Sequence, residues 1–162
     1  MANIERPLFE VKLCDPAKLA ERVRTLPRPL VFTNGVFDIL HRGHVTYLAQ
    51  ARAMGSALVV GLNSDASVRR LGKGPDRPLN MLADRAAVVA ALGDVALVTW
   101  FDDDTPLSLI LACHPDILVK GGDWAVDRIV GASEVGAWGG RTVSIPFEHD
   151  RSTTALVDRI RR

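Results

Sequence analysis

The order of apolar and amphipathic runs in this chain predicts an α/β protein built on a parallel five-stranded sheet with helices on both faces, and three observations carry the prediction. Short apolar runs of strand length recur at Leu30-Val31-Phe32 and at residues 57–62, 94–100, 117–119 and 141–146, with helix-compatible segments between them. The second of these, Ala57-Leu58-Val59-Val60-Gly61-Leu62, is apolar throughout, as expected of a parallel strand covered on both faces. The residues best suited to bind a ligand fall just past the strands, and open α/β sheets collect their ligands at the carboxyl ends of strands.

Composition sets the outer bounds. A chain of 162 residues with 48% hydrophobic and 24% charged residues matches one globular domain able to bury a core. A net charge of +1 offers no bulk attraction to nucleic acid or to an anionic membrane, so neither is expected as a partner. Two cysteines, Cys14 and Cys113, are too few for a disulfide framework and lack metal-ligand spacing, which points to reduced thiols in a cytoplasmic protein. No secretory signal pattern opens the chain, and no apolar run approaches the roughly 20 residues that span a bilayer.

Residues 1–29 read as a helical extension. Residues 16–24 have helical spacing behind Asp15 as N-cap, with Pro16 at the first helical position and Pro27 and Pro29 as terminators. No chemistry is expected there, only packing on the domain edge or on a neighbouring subunit. The domain proper, 30–162, opens with Leu30-Val31-Phe32 and the stretch Thr33-Asn34-Gly35-Val36-Phe37-Asp38-Ile39-Leu40-His41-Arg42-Gly43-His44, which leads into an amphipathic run at 45–54. A strand handing over to a helix is an anion-binding position, because the free N–H groups of the first turn carry about half a positive charge. Gly35 and Gly43 allow close backbone approach, and His41 and His44 share a face if the helix has begun by then. The pair lacks a nearby third ligand, so no metal site of the protein's own is expected.

Asp65 follows the second strand and suits either capping of a short helix through Arg69 and Arg70 or contact with substrate. Residues 71–82, with two glycines and two prolines, are expected to form a loop that presents Lys73 and Arg77, either as a basic lid over a phosphate site or as solvated charges. Arg85 lies in the next helix, 83–92. Thr105-Pro106 starts another by N-cap and first-turn proline, and Asp102, Asp103 and Asp104 are expected to favour its dipole rather than to bind metal. Lys120-Gly121-Gly122-Asp123-Trp124 ends the fourth strand, where paired glycines followed by an acid and an indole suit close approach to a ring or ribose, or else a plain turn. Glu134 and Trp138 are expected to be structural. Ser152-Thr153-Thr154 opens the last helix, as a cap or a phosphate site.

Taken together, the Thr-Asn-Gly-Val-Phe-Asp and His-x-Gly-His segments resemble the signature of the cytidylyltransferase-like nucleotidyltransferases. The likeness continues through Gly61-Leu62-Asn63-Ser64-Asp65, Arg77-Pro78-Leu79-Asn80 with Arg85, Val119-Lys120-Gly121-Gly122-Asp123-Trp124 and Ser152-Thr153-Thr154. Within that family the ordered set is most similar to the heptose 1-phosphate adenylyltransferases, over roughly residues 28–160. The resemblance implies a single Rossmann-like domain, ATP and heptose 1-phosphate as substrates, Mg²⁺ as cofactor, and a homo-oligomer, dimer or tetramer. It implies nucleotide binding by Thr33, Asn34, Gly35, Phe37, His41, Gly43, His44, Lys120, Gly121, Asp123, Ser152, Thr153 and Thr154. It implies substrate binding by Asp38, Asp65, Lys73, Arg77 and Arg85, and catalysis by His41, His44 and Lys73. Such enzymes are often fused to a sugar kinase; a chain of this length beginning at Met1 is expected to act alone. One departure stands out: relatives using glycerol phosphate carry an arginine five residues before Ser152, where this chain has Phe147, and Arg151 is the nearest substitute. The competing expectations are a cytidylyltransferase acting on a polyol phosphate and a non-catalytic nucleotide sensor.

Overall fold

In the computed structural model, which describes residues 6–72, 74, 76–149 and 153–160, five strands form one parallel sheet. They are β1 (Leu30–Gly35), β2 (Ala57–Asn63), β3 (Leu97–Phe101), β4 (Ile117–Gly121) and β5 (Arg141–Ile145), in the order β3-β2-β1-β4-β5. Thr33 of β1 lies opposite Val60 of β2 and Val119 of β4. Successive side chains sort to opposite faces, as the two-residue period of a strand requires. Val31, Leu58, Val60 and Val119 pack under α2 (Arg42–Ala53) and α4 (Leu82–Ala90). Leu30, Phe32, Val59 and Leu118 pack on the other face, with residues of α1 (Leu19–Arg22), α5 (Leu107–Cys113) and α6 (Ala132–Ala137). The parallel α/β sheet with helices on both faces is therefore as expected. Phe32, Leu30, Leu58 and Leu118 are almost wholly buried, each side chain contributing roughly 1.5–3 kcal/mol.

The boundaries show where local chemistry departed from pattern. Asp15 does accept a hydrogen bond from the Ala17 N–H at 2.9 Å. The helix behind it is nevertheless broken into a 3₁₀ turn at Pro16–Lys18, the single turn α1 and a second 3₁₀ turn at Val23–Thr25. Prolines at both ends leave too few residues for a cooperative α-helix, and Leu19 and Val23 are its only buried side chains. Before it, the Cys14 N–H donates to the Val98 carbonyl at 2.8 Å and Leu13 forms a parallel bridge with Val98, so the segment lies alongside the β3 edge of the sheet. β3 itself starts at Leu97 rather than 94, because the Val95 N–H turns back to the Leu92 carbonyl. Pro106, not Thr105, occupies the N-cap position of α5, which ends at His114 with φ +46°.

α3 (Asp65–Arg70) is capped by Ser64, whose side chain accepts from the Ser67 N–H at 3.0 Å. The capping expectation for Asp65 is thereby corrected: a residue already inside the first turn cannot serve as its cap. The acidic run also differs from expectation. Asp102 accepts from the Ser64 hydroxyl, Asp104 pairs with Arg70 at 2.8 Å and Asp103 accepts from Ser108 at 3.0 Å, so the run fastens α3 to the β3–α5 loop. Trp138 is structural as read, with its indole N–H donating to the Pro115 carbonyl and its ring stacked on His114.

Strand order reverses between β1 and β4, so their carboxyl ends flank a crevice, the place where sheets of this kind bind ligands.

Candidate active site

The crevice is shaped by an unusual backbone at the end of β1. Phe37 has φ +47°, a region that a bulky side chain enters only at a cost. The turn folds its ring back over Gly35, where an added Cβ would lie 2.7 Å from the ring edge, and sets it edge-on to His44 at 5.2 Å between centroids. His41 is the N-cap of α2, and its carbonyl accepts the His44 and Val45 N–H groups. The His41 and His44 imidazoles stack 3.8 Å apart, 18° from parallel. Gly43 makes room for this, since a Cβ there would stand 3.1 Å from the His41 ring. Two imidazoles thus sit together at the positive end of a twelve-residue helix.

They line a cavity of about 330 Å³. Its other walls are Lys120 and Gly121 from the end of β4, Phe147, Arg77, and Thr153 and Thr154 at the start of α7 (Thr153–Ile160). Lys120 Nζ reaches across the crevice to Asn34 Oδ1 at 3.4 Å. Arg77 spans from Asp38 at 2.6 Å to the Thr154 hydroxyl at 3.4 Å. Asp38 is the only carboxylate lining this cavity among the described residues, and it is committed. It accepts the N–H groups of Leu79 and Asn80 and the Arg77 guanidinium, which anchors the 77–80 loop. Burial opposes its ionisation, but those hydrogen bonds and the Arg77 charge prevail and hold its carboxyl below the usual range. Tyr47 closes the floor. Its hydroxyl is 2.5 Å from that of Thr33 and 3.4 Å from the Val119 carbonyl, and burial pushes the phenol up to about 12.

A second cavity, of about 420 Å³, shares Asn34, Gly35, Val36 and Lys120 with the first. Beyond these it is lined by Asn63, Asp104, Thr105, Trp124 and Arg128, among others. The first cavity holds the helix start and the histidines; the second has an indole, two cations and several hydrogen-bonding groups.

Of the residues expected at the site, the structure brings together Asn34, Gly35, Phe37, Asp38, His41, His44, Arg77, Lys120, Gly121, Thr153 and Thr154 around the first cavity. Five others line neither cavity. Thr33 is fully buried behind Tyr47, and Gly43 is buried within α2. Asp123 is exposed beyond the end of β4. Arg85 has a fully buried side chain donating to the Val36 carbonyl at 2.8 Å, the Asn80 carbonyl at 3.0 Å and Asp65 at 2.7 Å. Asp65 is thereby drawn to Arg85 rather than toward either cavity. Lys73 and Ser152, like Arg151, lie outside the described residues. Sequence reasoning missed Tyr47, Asn63, Thr105 and Arg128 as lining residues. The first was hidden by an ordinary helical pattern, and Thr105 read as a cap; Arg128 carries no signal of its own.

An anion-binding helix start, a stacked histidine pair and convergent cations at the switch point of a parallel sheet define the site of a nucleotidyltransferase. Comparison with known proteins agrees. The profile described as cytidylyltransferase-like matches residues 32–157, and the chain belongs to that family. It is 59% identical over 95% of its length to a protein of Bordetella bronchiseptica named D-beta-D-heptose 1-phosphate adenylyltransferase, covering 96% of that protein. It is 54% identical over 82% of its length to the bifunctional protein HldE of Pseudomonas fluorescens, of which it spans only 28%. Among solved structures, a lipopolysaccharide core biosynthesis protein from Thermoplasma volcanium superposes with a TM-score of 0.62 at 27% identity, covering 75% of this chain and 98% of that one.

Proposed function

We propose that this chain transfers the adenylyl group of ATP to D-glycero-β-D-manno-heptose 1-phosphate, giving ADP-heptose for lipopolysaccharide inner-core synthesis and releasing pyrophosphate. The observation that carries the reading is the pair of cavities meeting at Asn34, Gly35, Val36 and Lys120, which suits two substrates brought to one point. The name of the Bordetella relative, at 59% identity, supports the choice of nucleotide and acceptor.

The chemistry asks little of a general base. The acceptor's phosphate has a second pKa near 6 and is mostly dianionic at neutral pH. One of its oxygens attacks the α-phosphorus, the bond to the β-phosphate oxygen breaks, and pyrophosphate leaves with the electron pair. Repulsion is the obstacle: at 4 Å each pair of like unit charges costs about 1 kcal/mol in water and about 4 kcal/mol at an effective dielectric of 20. In this reading the His41 and His44 imidazoles and the first N–H groups of α2 meet the charge that builds on the α-phosphoryl group. Lys120, common to both cavities, neutralises the approaching phosphate. Arg77, Thr153 and Thr154 receive the departing end, and Lys73 adds a further cation. Held in line, the reactants need no covalent intermediate.

The reading includes a Mg²⁺ that would be carried by the ATP substrate rather than held by the protein's own carboxylates. Among the described residues no group of three His, Cys, Asp or Glu could hold a metal, and Asp38 is occupied by Arg77, Leu79 and Asn80. When bound, the ion shields triphosphate charge. The reading includes a cytoplasmic location, which the two free, buried thiols suit. It also includes a homo-oligomer, dimer or tetramer, for which Leu8 and Val11, 87% and 69% exposed, offer apolar surface.

Pyrophosphate release by the purified protein with Mg²⁺ and heptose 1-phosphate, run with ATP and CTP in parallel, tests the proposal. Release with ATP alone, dependent on the sugar phosphate, is expected. Release only with CTP would replace the substrates, and nucleotide binding without release would make the protein a sensor. His44→Ala should keep ATP binding and lose turnover; full turnover would remove the histidine from the chemistry.

A further inference from the structure

We propose that Trp124 is the specificity-determining platform of the acceptor site, an indole on which the C–H face of the heptopyranose ring stacks. The inference rests on the adenylyltransferase reading. An indole with 53% of its surface exposed is costly to display in water, and this one lines the second cavity. It is nevertheless held in place. Its Nε1–H donates to the Gly121 carbonyl at 3.1 Å, and its backbone N–H donates to the Gly122 carbonyl and the Ser144 hydroxyl, each at 3.1 Å. Gly122 takes φ +107°, and a Cβ there would lie 3.1 Å from the indole nitrogen, so the ring is seated directly against the main chain. With its only N–H used inward, the indole offers the cavity an apolar face and no donor.

The surroundings state what that face would take. Asn63, Asp104 and Thr105 bring hydrogen-bonding groups to the same cavity, and Lys120 and Arg128 bring positive charge. A ligand with one apolar face, hydroxyls around its rim and an anionic group matches all three: a pyranose phosphate. In the reading above the triphosphate occupies the first cavity, with the helix start and both histidines, which leaves the second to the acceptor. The ring therefore distinguishes a cyclic acceptor from an acyclic polyol phosphate of equal charge.

The test compares Trp124→Ala, Trp124→Leu and Trp124→Phe with the wild type. Turnover supplies KM for each substrate, and calorimetry supplies Kd for heptose 1-phosphate alone, so binding is read even if turnover fails. Loss of the stacked face should raise KM and Kd for heptose 1-phosphate about tenfold in the Ala and Leu variants, equivalent to about 1.4 kcal/mol. Phe should restore both to near wild type, with KM for ATP and the inhibition constant of inorganic phosphate unchanged throughout. Leu fills the space without a ring and guards against a folding artefact in the Ala variant, as do matching circular dichroism spectra. A rise in KM for ATP instead would move the indole to the nucleotide. Unchanged heptose binding in both variants would overturn the platform while leaving the adenylyltransferase reading intact. Wild-type turnover with CTP alone would sink that reading, yet the calorimetry would still judge the platform; a wild type that binds no heptose phosphate would overturn both.

Discussion

Replacing Arg85 should destabilise the fold before it touches the chemistry. The Arg85 guanidinium is fully buried and joins three segments: the Val36 carbonyl just before the strained Phe37, the Asn80 carbonyl beside the Asp38 anchor, and Asp65 of α3. Truncation in Arg85→Ala leaves two carbonyls without a charged donor and Asp65 without its counter-ion. Removing one partner of a buried ion pair costs about 3–5 kcal/mol, and a hydrogen bond to a charged group contributes about 1.5–3 kcal/mol. These overlap and cannot be summed. Asp65 keeps 17% of its side chain exposed, so water relieves part of its loss, and the lower end, about 3 kcal/mol, is expected. Against a typical stability of about 5–15 kcal/mol this is a large fraction. With a urea dependence of about 2 kcal/mol per molar, the unfolding midpoint should fall by about 1.5 M. The double variant Asp65→Ala/Arg85→Ala should lose less than the sum of the singles, because the stranded carboxylate is gone too. A midpoint within about 0.5 M of wild type, together with a fall in kcat/KM, would show that Arg85 serves the substrate and that its buried bonds are incidental.

Three further outcomes follow from the same geometry. Asp38 has its carboxyl held below the ordinary carboxylate range, so its ionised form contributes stability that is complete above the unfolded pKa and disappears as pH falls through the lower folded one; thermal melting from pH 7 to 2 should show Asp38→Asn well below wild type at neutrality, with the two curves converging below about pH 4. Gly35→Ala should cost about 1–3 kcal/mol, because its Cβ meets the buried Phe37 at 2.7 Å, whereas Gly121→Ala should cost less, because the ring it meets at 2.8 Å belongs to the half-exposed Phe147 and the buried Tyr47 ring, at 3.2 Å, needs to give only slightly; chemical denaturation of both variants decides. Burial raises the Cys14 thiol and pushes Cys113 up to about 12, so a thiol reagent at pH 8 should label neither in the native protein and both after unfolding.

The fold was legible because its strands are written twice, as apolar runs and as the ligand-binding residues that follow them. The turn from Thr33 to His44 announced its own location between strand and helix. What the sequence could not tell is which way a polar side chain points. Arg85, Arg77 and Lys120 are all cations near one sheet edge. Only packing decides that Arg85 turns inward to carbonyls of two loops, while Arg77 and Lys120 face the cavity. Asp123 and Trp124 are neighbours, and the acid looked the better ligand; the conformation of Gly122 instead leaves the indole facing a cavity. The second cavity was invisible for a different reason. Its wall joins Asn63, Asp104–Thr105 and Arg128, segments distant in sequence that meet only because β2, β3 and β4 end at the same sheet edge.

The junction shared by the two cavities also bears on inhibition. Asn34 and Lys120, 3.4 Å apart, stand where the two cavities meet, so a ligand reaching from one cavity to the other must pass them. Two weak binders, one shaped to each side, gain by being tethered: once the first is seated, the second is held at an effective concentration in the millimolar range for a short flexible linker. The tether would have to pass the Lys120 ammonium, and an anionic or carbonyl-bearing link would meet a cation there rather than a barrier. A bisubstrate compound of that form would draw its selectivity from the joint itself, since an enzyme with a single continuous trough presents no such gate to thread.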